Sequence, residues 1–286
     1  MHSTELNLGT SRLDLRHPHV MGVVNVTPDS FSDPGRFFDR DLAIREAESM
    51  TAQGASFIDI GGESTRPGAD AVAVQDELDR VMPVIESINA RVDVHVSIDT
   101  SKPEVMREAA SAGCVMINDV YALQRQGALD AAAEAQCAVC IMHMQGQPRT
   151  MQNQPGYVDV VAEVASFLKE RLEVCEKAGI LTDRLVIDPG FGFGKTDVHN
   201  VKLLASLGKL AELDRPLMVG ISRKRTLGNL AGRDETGRGP AGLAAAVLAY
   251  ERGAHIIRTH DVAATVDALK VAAVIRGTVA EERRSS

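Results

Sequence analysis

Residues suited to chemistry follow short apolar runs along the whole chain. The side chains best able to bind a ligand are Asn25, Asp99, Asn118, His143, Asp188, Ser222, Lys224, Arg258 and His260. Carboxylate and amide oxygens accept paired hydrogen bonds from a flat N–H edge, such as that of a pterin or guanine ring. The basic side chains supply positive charge for an anion. These residue types predict a site with an N–H-rich heterocycle at its centre and an anion at its edge.

The polar strand ends have a second explanation that stays open for each position alone. Asp, Asn, Ser and Thr are favoured in turns and at helix caps, so capping and ligand binding explain any single residue equally well. Eight polar ends on one rim are stronger evidence. Burying so many polar groups together costs on the order of several kcal/mol unless a polar ligand or water satisfies them.

The apolar runs that must position these residues are short, continuous and often β-branched. They are Val20–Val24, Phe57–Ile60, Val94–Ile98, Val115–Ile117, Ala138–Met142, Leu185–Ile187, Leu217–Val219 and Ile256–Ile257. Continuous apolar runs indicate parallel strands buried on both faces, and a segment with helical periodicity follows each one. Eight strand–helix units without a composition break predict an α/β fold. We expect a single (β/α)8 TIM barrel with its active site at the C-terminal ends of the strands.

Three helices can be predicted from their patterns. Leu78–Ile88 carries an apolar stripe, in which Pro83 is expected to kink the helix or to mark its start. Ser101–Glu104 has the pattern of a capping box at the start of the next helix. Val160–Cys175 carries another apolar stripe with helical spacing.

Composition limits the class of protein. The 286 residues include 31 basic and 39 acidic side chains, and the net charge of −8 disfavours a general nucleic-acid binder. No apolar run reaches the ~18 residues of a membrane helix, and no basic and apolar start indicates a secretory signal. The four cysteines lie in apolar or helical contexts, which favours a reducing compartment, and we expect the cytoplasm.

The expected organisation is one domain with two short appendages. Residues 1–18 are expected to form an N-terminal extension, either a β-hairpin or an arm. Residues 19–277 form the barrel, and residues 278–286 are a charged segment expected to be a flexible tail.

Two motifs invite readings that their spacing does not support. Gly190–Thr196 looks like a phosphate-binding P-loop, but Pro189 stands where the first glycine is needed. Its alternating glycines are expected to allow close backbone approach instead. Cys137 and Cys140 form a C-x-x-C without a second pair for zinc, so they are predicted to be small core residues.

Eight motifs, in order, resemble those of the dihydropteroate synthase family. They are Met21–Asp33, Gly61–Gly68, Ser97–Thr100, Ile117–Asp119, Met142–Gly146, Asp188–Lys195, Ser222–Lys224 and Arg258–Val262. The resemblance covers almost the whole chain, from Val20 to Ile275. It implies a transferase of folate biosynthesis that joins 6-hydroxymethyl-7,8-dihydropterin diphosphate to 4-aminobenzoate and releases diphosphate. It also implies Mg²⁺ as cofactor, a sulfonamide target and a homodimer, with neither nucleic acid nor membrane as partner.

The resemblance assigns roles to residues at the matching positions. The residues implied to hold the pterin ring are Asp99, Asn118, Asp188 and Lys224. Those implied to bind the diphosphate are Thr65, Arg258 and His260. Those implied to lie around the aminobenzoate are Ser222, Phe193 and Pro67, with Phe31 on the first loop. Further expected substrate contacts are Arg66, Met142 and Gly220, while Asn25 is expected to contact Mg²⁺. The expected catalytic residues are Asp99, Lys224 and Arg258.

One departure and two alternatives accompany this reading. The family usually has Ser-Asp-Gly-Gly in the first loop, where this chain has Ser32–Gly35 with Pro34. Proline fixes φ and removes an N–H donor, so the loop's resting conformation and its affinity for aminobenzoate and sulfonamides are expected to change. A pterin-dependent methyltransferase of the same fold is the alternative enzyme, although it does not need the basic side chains that would bind a diphosphate. A pterin-binding protein without turnover is the third hypothesis.

Overall fold

A barrel of parallel strands forms the body of the protein. The computed structural model describes residues 4–27, 36–64, 71–234 and 236–284, so the first-loop segment with Phe31 and Pro34 lies outside the described residues. The barrel strands are β3 (His19–Asn25), β4 (Phe57–Gly61), β5 (His95–Asp99), β6 (Met116–Asp119), β7 (Ala138–Met142), β8 (Leu185–Asp188), β9 (Met218–Val219) and β10 (Ile256–Thr259). Before them come β1 (Glu5–Asn7) and β2 (Arg12–Asp14).

The strands close in sequence order around the barrel. The hydrogen-bonded order is β8-β7-β6-β5-β4-β3-β10-β9, and every neighbouring pair is parallel. One parallel bridge between Ile187 and Leu217 joins β8 to β9, supported by a 2.9 Å hydrogen bond from Ile187 N to Pro216 O. The predicted (β/α)8 barrel is confirmed, and each predicted apolar run overlaps one barrel strand.

Helices follow the strands and cover the outside of the barrel. They are α1 (Arg36–Ala52), α2 (Val74–Arg91), α3 (Pro103–Ser111), α4 (Ala128–Ala135), α5 (Val160–Lys177), α6 (Asp197–Ala205), α7 (Arg225–Ala231), α8 (Gly239–Glu251) and α9 (Val262–Arg284). Short 3₁₀ helices occur at Thr182–Arg184 and Leu207–Leu213. Helix α9 continues to Arg284, so the expected barrel boundary at residue 277 falls inside a helix.

Strand periodicity divides the buried side chains into two cores. The residues that pack between the strands and the helices include Ile58, Ile60, Ile98, Ile117 and Ile187. Their strand neighbours face the barrel interior, where Phe57, Met116, Cys140 and Val186 form a separate cluster near the N-terminal ends of the strands. Continuing this alternation toward the C-terminal ends brings polar side chains inward.

The N-terminal extension closes the lower end of the barrel. Strands β1 and β2 pair antiparallel, with Leu6 opposite Leu13. Leu6, Leu8, Leu13 and Leu15 are buried in the same cluster as the lower barrel layer. Asn7 Nδ2 also donates to the Asp183 carboxylate at 3.3 Å. The polar chemistry is therefore confined to the opposite end of the barrel.

The structure excludes one of the two alternatives for Pro83 and contradicts the predicted capping box. Helix α2 begins at Val74, so Pro83 lies inside it and does not mark its start; the carbonyl that loses its partner belongs to the exposed Asp79. The predicted capping box at Ser101 does not form, because Lys102 is the N-cap residue of α3 and has no capping side-chain bond. Ser101 Oγ instead donates to Asp119 Oδ1 at 2.5 Å.

The other predictions for the body of the protein agree with the structure. The stripe at Val160–Cys175 lies on α5 and is largely buried. Cys114, Cys137, Cys140 and Cys175 are all buried free thiols, as expected of small core residues. Within the described ranges, no helix combines the length and apolar character needed to cross a bilayer.

Candidate active site

A pocket opens at the C-terminal ends of the barrel strands. Its walls are formed by Asp99, Asn118, Val120, Met142, Asp188, Gly190, Phe191, Phe193, Gly220, Lys224 and Arg258. Eight of these residues were predicted from the sequence as substrate-binding: Asp99, Asn118, Met142, Asp188, Phe193, Gly220, Lys224 and Arg258. The structure thus brings together most of the predicted site.

Strand register places the polar residues side by side. Asp99 at the end of β5 is the register partner of Asn118 on β6, and Met142 on β7 is the partner of Asp188 on β8. Each of these four side chains stands two residues above an interior one, so each faces inward. Their inward orientation brings three acceptors, Asp99, Asn118 and Asp188, to one pocket, and we call these three residues the acceptor ring.

A buried carboxylate beneath this ring organises it, and sequence reasoning did not assign it to the site. Asp59 Oδ2 accepts hydrogen bonds from Arg258 Nε at 2.6 Å and from Asn118 Nδ2 at 3.0 Å. Arg258 also donates to Asp99 Oδ2 at 2.9 Å. Because Asp59 holds the amide nitrogen of Asn118, the amide oxygen of Asn118 is the atom available to a ligand donor. Inward strand periodicity was the signal that identifies Asp59.

Burial makes the pocket carboxylates unusually basic. Desolvation raises the pKa of Asp99 to about 7, although the charge of Arg258 opposes the shift. Desolvation also raises the pKa of Asp188 to about 6, against the Gly190 N–H bond and the charge of Lys224. A ligand that offers N–H donors therefore satisfies acceptors that the protein satisfies only in part.

One wall of the pocket combines an aromatic ring with a cation. Lys224 Nζ lies 4.3 Å from the centre of the Phe193 ring, which is 9% exposed. Glycines keep this region open: a Cβ at Gly192 would lie 3.2 Å from Lys224 Cδ, and one at Gly220 would lie 4.0 Å from Asp188 Oδ2. The wall can therefore contact an aromatic ring and a negatively charged group together.

The two side chains predicted to bind the diphosphate, Arg258 and His260, differ in charge. Burial lowers the pKa of Arg258, but the adjacent Asp59 and Asp99 reverse the effect, and its pKa lies above the usual range. Burial and the charge of Arg258 lower the pKa of His260 to about 4, so His260 is neutral at pH 7. Ser222 Oγ lies 3.3 Å from His260 Nδ1, and Ser222 does not lie at a helix start, because α7 begins only at Arg225. Neither Ser222 nor His260 belongs to the pocket wall described above.

The predicted metal contact lies beside the acceptor ring. Asn25 is half-buried at the end of β3, and a Cβ at Gly61 would lie 3.6 Å from Asn25 Oδ1 and 3.9 Å from Asp99 Oδ2. Three metal-binding side chains of the His, Cys, Asp or Glu type do not cluster anywhere in the described ranges. An amide oxygen supplemented by substrate phosphates and water suits Mg²⁺, which prefers oxygen ligands and retains water. The residues present therefore fit that ion.

An ion cluster anchors the β4–α2 connection next to the pocket. Lys102 Nζ contacts both Glu63 Oε2 and Glu77 Oε2, and Glu77 is fully buried. Arg80 Nη1 donates to Gly62 O at 2.8 Å. These contacts hold the chain just before the predicted ligands Thr65, Arg66 and Pro67, which lie outside the described residues.

His143 was predicted to have a functional position at its strand end. Its side chain is 6% exposed, and its Nδ1 lies 2.9 Å from Lys195 Nζ, behind the pocket wall. Burial and the Lys195 charge lower the pKa of His143 to about 3. His143 is therefore a neutral internal partner and not a pocket residue.

Comparisons with known proteins agree with this geometry. Residues 21–260 match the family model described as "Pterin binding enzyme". The dihydropteroate synthase of Escherichia coli strain K12 is 53% identical over 263 residues, which cover 92% of this chain and 93% of that protein.

Solved structures show the same similarity over the complete fold. The dihydropteroate synthase of Xanthomonas albilineans, determined with 4-aminobenzoic acid, has a TM-score of 0.91 and 51% identity, covering 96% of this chain and 98% of that one. The Yersinia pestis synthase in a complex with a sulfonamide drug has a TM-score of 0.90 and 48% identity, covering 97% and 100% respectively.

Proposed function

The chain belongs to the dihydropteroate synthase family of pterin-binding enzymes, and we propose how its own residues perform the family's reaction. It is a transferase of folate biosynthesis that joins 6-hydroxymethyl-7,8-dihydropterin diphosphate to 4-aminobenzoate. The products are 7,8-dihydropteroate and diphosphate. The observation that carries the assignment of roles is the convergence of Asp99, Asn118 and Asp188 with Lys224 and Arg258 in one pocket.

The acceptor ring binds the pterin. Asp188 accepts from the 2-amino edge, since its Oδ1 already receives the Gly190 N–H at 2.7 Å and its second oxygen faces Gly220. Asn118 adds an amide oxygen whose orientation Asp59 fixes. Charge-assisted bonds of this kind are shorter and stronger than neutral ones. Preorganisation of both acceptors lowers the cost of binding.

The reaction exchanges one bond at the pterin methylene. The carbon–oxygen bond to diphosphate breaks, and its electron pair leaves with the diphosphate. The methylene then carries positive charge that is conjugated with the pterin ring, and the Asp99 carboxylate stabilises it. The neutral arylamine forms the carbon–nitrogen bond and loses a proton to water. A secondary isotope effect of unity on the methylene hydrogens would contradict this dissociative order.

Positive charge at the rim assists departure of the diphosphate. We assign this role to Arg258 and Lys224, with Thr65 and the neutral His260 as hydrogen-bond donors. Replacing Arg258 by Ala would leave Asp59 and Asp99 buried without their partner, so a folding defect would obscure the result. Arg258→Lys keeps the charge and loses the forked geometry. We expect it to weaken binding of the pterin diphosphate by at least about tenfold more than binding of the free pterin, measured by calorimetry.

Mg²⁺ would be held by Asn25 together with the substrate phosphates. The ion supplies charge neutralisation of the leaving group when bound. Asn25 offers the oxygen and fixes its direction beside Gly61. Asn25→Ala is expected to raise the Mg²⁺ concentration needed for half-maximal binding of the pterin diphosphate, without changing the affinity for free pterin.

An assay of dihydropteroate formation tests the reaction directly. Purified protein is incubated with both substrates, with Mg²⁺ or with chelator, and product and diphosphate are quantified. We expect equal amounts of both, and strong dependence on Mg²⁺. A pterin-dependent methyltransferase would release no diphosphate, and a binding protein would retain the pterin without forming product.

We also propose that the protein forms a homodimer and that it lies in the cytoplasm. Ala245, Ala246 and Ala249 of α8 are buried inside the chain, so they offer no dimer face. The exposed stripe on α9 formed by Val271, Val274 and Ile275 is a better candidate, because its side chains are 58–71% exposed. Light scattering with Val274→Asp tests the dimer and should show a monomer. The reduced, buried cysteines support the cytoplasm, which cell fractionation tests.

A further inference from the structure

The β8–α6 connection, Gly190–Lys195, wraps around the side chain of its own last residue. Three of its glycines have positive φ: Gly190, Gly192 and Gly194. Close backbone approach requires them, since a Cβ at Gly190 would lie 1.9 Å from His143 O and one at Gly194 would lie 2.3 Å from Gln145 O. The connection is therefore pressed against the β7–α5 connection along its length.

Side chains take most of the carbonyl oxygens of this connection. Lys195 Nζ donates to Gly190 O at 2.9 Å and to Phe193 O at 3.0 Å. Gln152 Nε2 donates to Gly192 O at 2.5 Å, and Tyr157 OH donates to Gly194 O at 2.8 Å. Both outside donors belong to the β7–α5 connection. Phe193 is thus held by bonds to its own carbonyl and to those on either side.

Lys195 is a charged residue at a buried position. It is 2% exposed, and the hydrogen-bond partners of its ammonium group in the described ranges are backbone carbonyl oxygens and the His143 ring. Carbonyl oxygens replace its water, and the neutral His143 ring accepts a further bond at Nδ1. Burial lowers the pKa of Lys195 to about 7, because a charge inside the protein is poorly solvated. A packing role alone would be filled better by an apolar side chain.

We propose that Lys195 is a positioning residue of the reaction, which fixes the Phe193 ring against Lys224 and so shapes the aminobenzoate side of the pocket without touching either substrate. Gln152 and Tyr157 assist it from the neighbouring connection. This inference rests on the proposed role of Phe193 in binding 4-aminobenzoate. It assigns part of the specificity to residues behind the wall of the pocket.

The first experiment separates positioning from general damage. Lys195→Met removes the ammonium group and keeps a long, unbranched side chain. The same substitution at the exposed Lys202, Lys202→Met, is the matched control. We expect the KM for 4-aminobenzoate to rise about tenfold and the Kd for the pterin diphosphate to stay within about threefold. Combination with Phe193→Ala should raise that KM no further than Phe193→Ala alone, because Lys195 acts through this ring. Equal losses for both substrates, or additive effects in the double variant, would overturn the proposal.

A second experiment remains informative if Lys195→Met fails to fold. Tyr157→Phe and Gln152→Leu each remove one bond to the connection, with Tyr250→Phe as control. Hydrogen exchange of the Gly192 and Phe193 amides should accelerate in both variants, and the KM for 4-aminobenzoate should rise about threefold. Unchanged exchange would refute the positioning role. If the two variants exchange faster but the wild-type protein forms no dihydropteroate, the proposed function is refuted. The contacts that position Phe193 would then still stand.

Discussion

Asp188→Asn should make the protein more stable and its pterin affinity lower. The substitution keeps the shape of the side chain and an oxygen for the Gly190 N–H, whose bond to Oδ1 is 2.7 Å. It removes the negative charge that burial disfavours. The free energy of unfolding and the affinity for 6-hydroxymethylpterin are therefore expected to move in opposite directions.

The magnitude follows from the raised pKa of Asp188. Burial moves that pKa from 3.8 to about 6, and each unit corresponds to roughly 1.4 kcal/mol. The folded state binds more protons than the unfolded state between these values, so stability falls as pH rises through about 4 to 6 and stays lower above that window. Removing the charge should raise the free energy of unfolding at pH 8 by up to about 3 kcal/mol. The loss of charge-assisted bonds, each about 1.5–3 kcal/mol, should weaken pterin binding at least about 100-fold.

Urea unfolding and calorimetric titration, each from pH 4.5 to pH 8, measure both quantities. Wild-type affinity for the pterin should fall up to about tenfold per unit below pH 6 through protonation of Asp188, and Asp188→Asn should lose this contribution and keep only the one due to Asp99. The exposed Asp130→Asn serves as the control and should change neither quantity. A variant that is less stable than wild type at pH 8, or one that keeps the full pH dependence of wild type, would refute the reasoning.

Two further substitutions test the framework around the pocket. Lys102→Met leaves the two glutamates that it bridges without their cation, so urea unfolding should show a loss of about 3–5 kcal/mol; unchanged stability would mean that the cluster contributes little. Gly190→Ala places a Cβ 1.9 Å from His143 O at a φ of +69° and should cost at least about 2 kcal/mol, whereas Gly179→Ala meets no neighbouring atom and should cost about 1 kcal/mol. Equal losses in the two alanine variants would show that backbone strain, and not the close approach, limits both positions.

The barrel was predictable because its physics is local in the sequence. Continuous apolar runs such as Ala138–Met142 and Leu185–Ile187 are buried on both faces, and eight such short runs that alternate with helical segments are typical of a parallel sheet. The expected boundary at residue 277 stays a prediction, since helix α9 runs through it to Arg284. The Ser101 cap failed because Asp119, on the adjacent strand, competes for the same hydroxyl group.

The site was predictable where the type of a residue indicates the ligand that it can bind. Asp188 and Lys224 follow strands, and their chemistry is evident from the sequence. Asp59 was not assigned because its role depends on Asn118, 59 residues away, and Lys195 was not assigned because the fold, and not the local sequence, buries it beside His143, 52 residues away. The ionisation of buried groups likewise depends on their surroundings, which explains why His260 is neutral although it was grouped with the cations.

The joint between β8 and β9 has a consequence for how the protein responds to its substrate. A single bridge at Ile187 and Leu217 closes the barrel there, whereas the other neighbouring strands share longer ladders. Asp188 stands on one side of this joint and Lys224 beyond the other. If pterin binds both residues as proposed, it would link the two sides of this joint, so that ligand occupancy should slow the opening of the barrel there. The protein with bound pterin should therefore resist unfolding and proteolysis better than the free protein.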